Sequence, residues 1–179
     1  MGDNEKSKDN LTTGKVPIQM NGIQISIREA RLDELPAVCT MIGDCFQRFI
    51  APDYVEEGVR ECLNFMSPTA LEKRLAGGNL VLIASSGDDI VGTLEIRSQG
   101  HISLFFVKPE YHRRGIGRKL LRTAIQKCLE ANPGLSTIEV HSSPYAVGIY
   151  KQLGFTAAGP EATDKGIRFT PMRMSFSTA

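Results

Sequence analysis

"LFFVKPEYHRRGIGRKLL", residues 104–121, decides the fold of this chain. It begins with strand-forming residues through Val107 and passes a proline at 109. It then reaches a glycine pair, Gly115 and Gly117, where a helical apolar period starts. That period continues through Ile116, Leu120, Ala124, Ile125 and Cys128 and stops before Asn132-Pro133-Gly134. Arg113, Arg114, Arg118, Lys119 and Arg122 crowd the helix start, and no acidic residue lies between Tyr111 and Leu129. A helix N-terminus carries unpaired N–H groups and about half a positive charge. Cations there oppose the dipole by about 0.3–1 kcal/mol each when exposed. An anion on the loop reverses the sign of that term, and the missing glycine side chains let an oxygen-rich group approach the backbone. The competing reading is a solvated basic helix face whose glycines serve only the turn.

The rest of the chain narrows the anion. With 179 residues there is enough chain for one domain with a sizeable core, and a formal net charge of +1 argues against a general nucleic-acid surface. The cluster is therefore local and suits a small anion. No G-K-[ST] of a Walker loop is present, and the dinucleotide fingerprint would need a third glycine where Leu120 stands. Cys39, Cys45, Cys62 and Cys128 show no metal spacing and read as reduced core thiols. The histidines, His101, His112 and His141, are scattered, so no metal is expected. No apolar stretch is long enough to span a bilayer, and the first residues lack the apolar centre of a signal peptide. The expectation is a cytoplasmic protein with neither membrane nor nucleic acid as partner.

Residues 1–20 are polar and aperiodic and are predicted as a disordered or loosely attached leader, with 21–179 as a single domain. "IQISIREAR" reads as the first strand, followed by helical periods from Asp33, from Asp53 and from the Ser67-Pro68 cap. "LVLIAS", "IVGTLEIRS" and "HISLFFV" are strands joined by links short enough for antiparallel hairpins. After the long helix come the strand "STIEVHSS", a short helix ending at Gly154, and a hairpin around Asp164-Lys165-Gly166. This order predicts a mixed α/β fold around one mostly antiparallel sheet flanked by helices.

The opening stretch resembles the strand, proline loop and [RQ]-x-x-G-x-[GA] pyrophosphate loop of the GNAT acetyltransferase superfamily. "SPYAVGIYKQLGF", residues 143–155, resembles that family's second signature, N-x-x-A-x-x-x-Y-x-x-x-G-F. The likeness runs from about Gln24 to Phe176, with His112 where Arg or Gln is usual and Ser143 where Asn is frequent. The resemblance implies a fold with two splayed central strands. It implies acetyl-CoA held by the loop of His112, Arg113, Arg114, Gly115, Ile116, Gly117 and Arg118, by the strand end at Phe106 and Val107, and by Ser143. A backbone N–H near Val107 would face the developing oxyanion, and Tyr150 would be the general acid. The implied reaction is direct attack of a primary amine, on a small molecule or a peptide, upon the thioester. A non-catalytic acyl-CoA-binding module is the alternative, and a homodimer is compatible with the family.

The general base is left open by the residues. Glu95 shares a strand face with Thr93 and Arg97 and is the carboxylate candidate, against a solvated sheet face. His141, at the end of a strand beside the second signature, is its rival. Asp53, Glu56 and Glu57 would attract a cationic amine or simply complement a helix start.

Overall fold

Leu80–Ser86 is apolar on both faces, the pattern of a strand covered on both sides, and it lies inside the sheet with helices against each face. This computed structural model describes residues 18–20 and 23–176. The strands are β1 (Ile18–Met20), β2 (Ile23–Glu29), β3 (Leu80–Ser86), β4 (Asp89–Ile96), β5 (His101–Val107), β6 (Thr137–Ser142), β7 (Thr156–Ala157), β8 (Ala162–Asp164) and β9 (Ile167–Ser175). The helices are α1 (Leu35–Phe49), α2 (Glu56–Phe65), α3 (Pro68–Ala76), α4 (Ile116–Ala131) and α5 (Val147–Leu153). Strand order is β1-β2-β3-β4-β5-β6-β9-β7, with β8 on β9. Every pairing is antiparallel except β5 with β6.

The predicted mixed α/β architecture is therefore present. The N-terminal leader expected over residues 1–20 falls outside the described residues except for Ile18–Met20, which pair with β2 as a strand. Leu82, Leu94, Ile96 and Ile138 pack on Ile116, Leu120, Leu121 and Ala124 of α4. Val81, Ile83 and Leu104 pack on Leu35, Val38, Ile42, Phe46 and Leu71 of α1 and α3. The long helical period after Gly115 thus covers one face and the early helices the other. None of the described helices is long and apolar enough to cross a membrane.

The N-terminal strand is tied to the turn before α1 by an ion pair. Arg28 Nη1 donates to Glu34 Oε2 at 2.7 Å and Nη2 donates to Oε1, while the Arg31 backbone N–H adds a bond at 2.9 Å. The Arg28 hydrogen bonds hold the Glu34 carboxyl down to about 2, from an ordinary value near 4.5. A depressed carboxyl contributes stability that is complete above its unfolded value and disappears as pH falls toward the folded one. Glu34→Gln is therefore expected to lower the melting temperature at pH 7 and to flatten its decline between about pH 5 and 2. A melting series showing parallel acid limbs in the two proteins would refute this.

Candidate active site

A slip in register opens the sheet. Glu95 pairs with Leu104 but Ile96 pairs with Ile102, which leaves Ser103 as an extra residue in β5. Such a bulge bends the strand that carries it. It directly follows the last of the β5–β6 pairs, His101 with Glu139 and Ile102 with Val140. Beyond that point β5 stays with β4 as far as Val107 and Gly92, while β6 stays with β9 as far as Ser142 and Thr170. The two strands part, and the C-terminal half of β5 turns one main-chain edge to the gap.

The start of α4 stands beside Phe105 and Val107, whose side chains Gly117 faces. Gly115 precedes the helix at φ 82°, a left-handed conformation that favours glycine, and Arg113 sits at φ 59°. The Lys119 N–H donates to the Gly115 carbonyl, so the N–H groups of Ile116, Gly117 and Arg118 have no acceptor within the helix. No acidic residue occupies its first turn. Arg113 and Arg118 are exposed, and Arg114 lies over the Tyr111 ring at 5.7 Å. The local charge is as the sequence predicts, and its place beside the parted strands is what the tertiary structure adds.

His112 turns back on the strand. Its Nε2 lies 2.7 Å from the Val107 carbonyl oxygen, which can only accept, so the ring donates. Phe49 of α1 lies 6.0 Å from that ring and stacks on Tyr145 at 5.1 Å, so aromatic side chains reach from α1 to the turn after β6.

Beneath them is a pocket of about 350 Å³. Phe46, Phe65 and Met66 line one side, Leu104, Phe106 and Val140 another, and Ser143 and Tyr150 close it beyond β6. Tyr150 is buried, with its ring 5.2 Å edge-on from Phe155. Burial raises its hydroxyl far above the usual phenol value, so it remains a donor at neutral pH. The buried Ser143 carbonyl accepts from the Ala146 N–H and from Ser142 Oγ. Ser103 Oγ, also at this pocket, is buried without a hydrogen-bond partner. An orphaned buried hydroxyl in a cleft is a place for a ligand's polar group.

Glu95 departs from the expectation of a general base. It is fully buried and does not line the pocket. Oε1 accepts from Arg74 Nε at 2.7 Å and from Asn79 Nδ2 at 2.6 Å, and Oε2 accepts from Arg74 Nη2 at 3.0 Å. An acid so occupied anchors α3 to β4. Asp53, Glu56 and Glu57 are exposed and stand away from the pocket, where Glu61, one turn along α2, takes their place. His141 does reach the pocket, together with His101, around which the sequence carries no motif. The signal that would have found His101 is non-local, since it meets β6 only through the parallel pairing.

The thiols are quiet. Burial raises Cys45, and burial with the Glu61 charge pushes Cys62, a pocket residue, up to about 11. Among the described residues no group of three or more His, Cys, Asp or Glu is placed to hold a metal ion.

The family model for the acetyltransferase (GNAT) domain matches residues 50–176, the larger part of the chain. The peptidyl-lysine N-acetyltransferase YjaB of Salmonella typhimurium is 27% identical over 145 residues, covering 79% of this chain and 90% of that protein. Its Escherichia coli counterpart is also 27% identical, over 143 residues, 78% of this chain and 88% of that one. Among solved structures, a GCN5-related N-acetyltransferase from Rhodopseudomonas palustris superposes with a TM-score of 0.72 at 22% identity, covering 91% of this chain and 99% of that one. The PaiA N-acetyltransferase of Thermoplasma acidophilum, solved in complex with coenzyme A, gives 0.70 at 21% identity over 85% and 99%.

Proposed function

Because the chain belongs to the GNAT acetyltransferase family, we propose that it transfers acetyl from acetyl-CoA to a primary amine by direct attack within one pocket. The observation that carries this reading is the junction of two features: strands that part at a bulge, and a helix start with free N–H groups beside the gap. The N–H groups of Ile116, Gly117 and Arg118 take the pyrophosphate, with Arg113, Arg114 and Arg118 adding charge. The free edge of β5 at Phe106 and Val107 pairs with the amides of the pantetheine arm. His112 keeps the Val107 carbonyl in place, and the Ser103 hydroxyl and Ser143 offer polar contacts deeper in the cleft. Residues 21–179 act as one domain in this reading.

Acetyl-CoA supplies the activated acyl group, and the chain orients it and manages protons. A backbone N–H near Val107 faces the oxyanion, and the Tyr150 phenol donates to the departing thiolate. A direct route is favoured over an acetyl-cysteine because Cys62, the thiol lining this pocket, is held protonated. The acceptor is a primary amine on a peptide or a small molecule. A lysine side chain is the first choice, since the YjaB relatives are peptidyl-lysine N-acetyltransferases.

Calorimetry with acetyl-CoA, followed by thiol release against a lysine peptide, tests the reading. Binding, release of free CoA and full retention of both by Cys62→Ala are expected. Absence of binding at millimolar acetyl-CoA would remove the transferase, and binding without thiol release across an amine panel would leave only an acyl-CoA-binding module.

A further inference from the structure

An amine held at the pocket arrives almost wholly as ammonium, with about one part in a thousand neutral at pH 7 for an ordinary lysine. Glu95 cannot take its proton from where it stands. Two imidazoles can be reached from the same pocket. His101 begins β5 and His141 lies on β6, two residues beyond the Glu139 that pairs with His101, so both project from one sheet face. Their rings meet edge to face at 5.1 Å, and His141 stacks on Phe169 of β9 at 4.2 Å. Both line the pocket that Tyr150 and Ser143 also line.

We propose that His101 and His141 act as one unit that takes the proton from the acceptor ammonium. This rests on the transferase reading above and names its base. The ammonium N–H bond breaks and its proton passes to an imidazole nitrogen. The freed lone pair forms the C–N bond at the thioester carbon, and the C–S bond breaks with the electron pair leaving on sulfur. Tyr150 protonates the thiolate and regains its proton from the nitrogen of the new amide. The imidazole pair then releases the ammonium proton to solvent, so ammonium and acetyl-CoA become amide, free CoA and one proton.

The surroundings suit a neutral acceptor. Burial first, then His141 and Arg97, lower the His101 value from its ordinary 6.5, against an opposing pull from Glu139. Glu139 stands opposite Arg173 in the β6–β9 register, and Glu61 faces the same pocket from α2. The neighbouring His141 imidazole is thus one of the groups that keep His101 in its neutral, proton-accepting form. Because the base must be unprotonated, wild-type turnover is expected to fall as pH drops through the imidazole range and to be level above it.

The test compares wild type, His141→Gln, His101→Gln and the double variant, using acetyl-CoA with a blocked lysine peptide. At pH 7 the double variant is expected to lose about a hundredfold in kcat. Its rate should climb about tenfold per pH unit as the amine ionises by itself. Acetyl-CoA affinity and melting temperature should stay at wild-type values, and added imidazole should restore part of the rate to His141→Ala. NMR titration without acceptor should show His101 titrating higher once His141 is replaced. A double variant matching wild type at every pH overturns the proton role and leaves the transferase standing, as does a His101 titration indifferent to His141. A wild type that neither binds acetyl-CoA nor releases thiol overturns the transferase, and the proton role falls with it.

Discussion

Tyr150→Phe is expected to lower kcat by about a hundredfold or more while leaving acetyl-CoA affinity and melting temperature near wild type. The substitution removes one oxygen from a ring otherwise held by Phe155 and Phe105. Those contacts are with the ring, so the helix α5 and the packing beneath it keep their apolar surface. What disappears is the only atom of that side chain able to donate to the departing sulfur. Because burial keeps the phenol protonated, the loss should be the same at pH 7 and pH 9. Calorimetry separates binding from chemistry, and thiol release under saturating acetyl-CoA reads kcat. Turnover unchanged in the variant would remove Tyr150 from the reaction and leave it an aromatic core residue.

The second large effect is on stability. Glu95→Gln is expected to cost about 3–5 kcal/mol, because breaking one side of a buried ion pair leaves the other charge uncompensated. At about 2–4 °C per kcal/mol for a chain of this size, the melting temperature should fall by roughly 10 °C. Arg74 would keep its bond to the Phe65 carbonyl and its place over the Phe65 ring at 3.8 Å, but not its carboxylate. Phe65 and Met66 line the pocket, so the same loss should loosen the wall formed at the end of α2. At a temperature well below melting, the acid limb of the pH–rate profile should match wild type. A variant of wild-type stability that lacks that limb would return Glu95 to the role of base.

Tyr150 and Glu95 differ in how far along the chain their partners lie. Tyr150 belongs to a local pattern, "SPYAVGIYKQLGF", in which the turn after β6 and the spacing along α5 set its place. Glu95 obeys strand alternation equally well, and it does share a face with Thr93. What lies over that face is Arg74 of α3, 21 residues away, and no periodicity reports it.

The succession of the main strands and helices from β2 onward, the cap at Ser67 and the glycine-rich helix start were determined by the sequence alone. Each depends on contacts or dihedral preferences within a few residues, which a one-dimensional pattern carries. The parting of β5 from β6, the buried partner of Glu95 and the meeting of His101 with His141 were decided only by the tertiary structure. They arise where segments 38 residues apart pair in parallel and a single bulged serine bends one of them away. Non-local register of that kind depends on the packing of the whole sheet, so it leaves no mark on neighbouring residues.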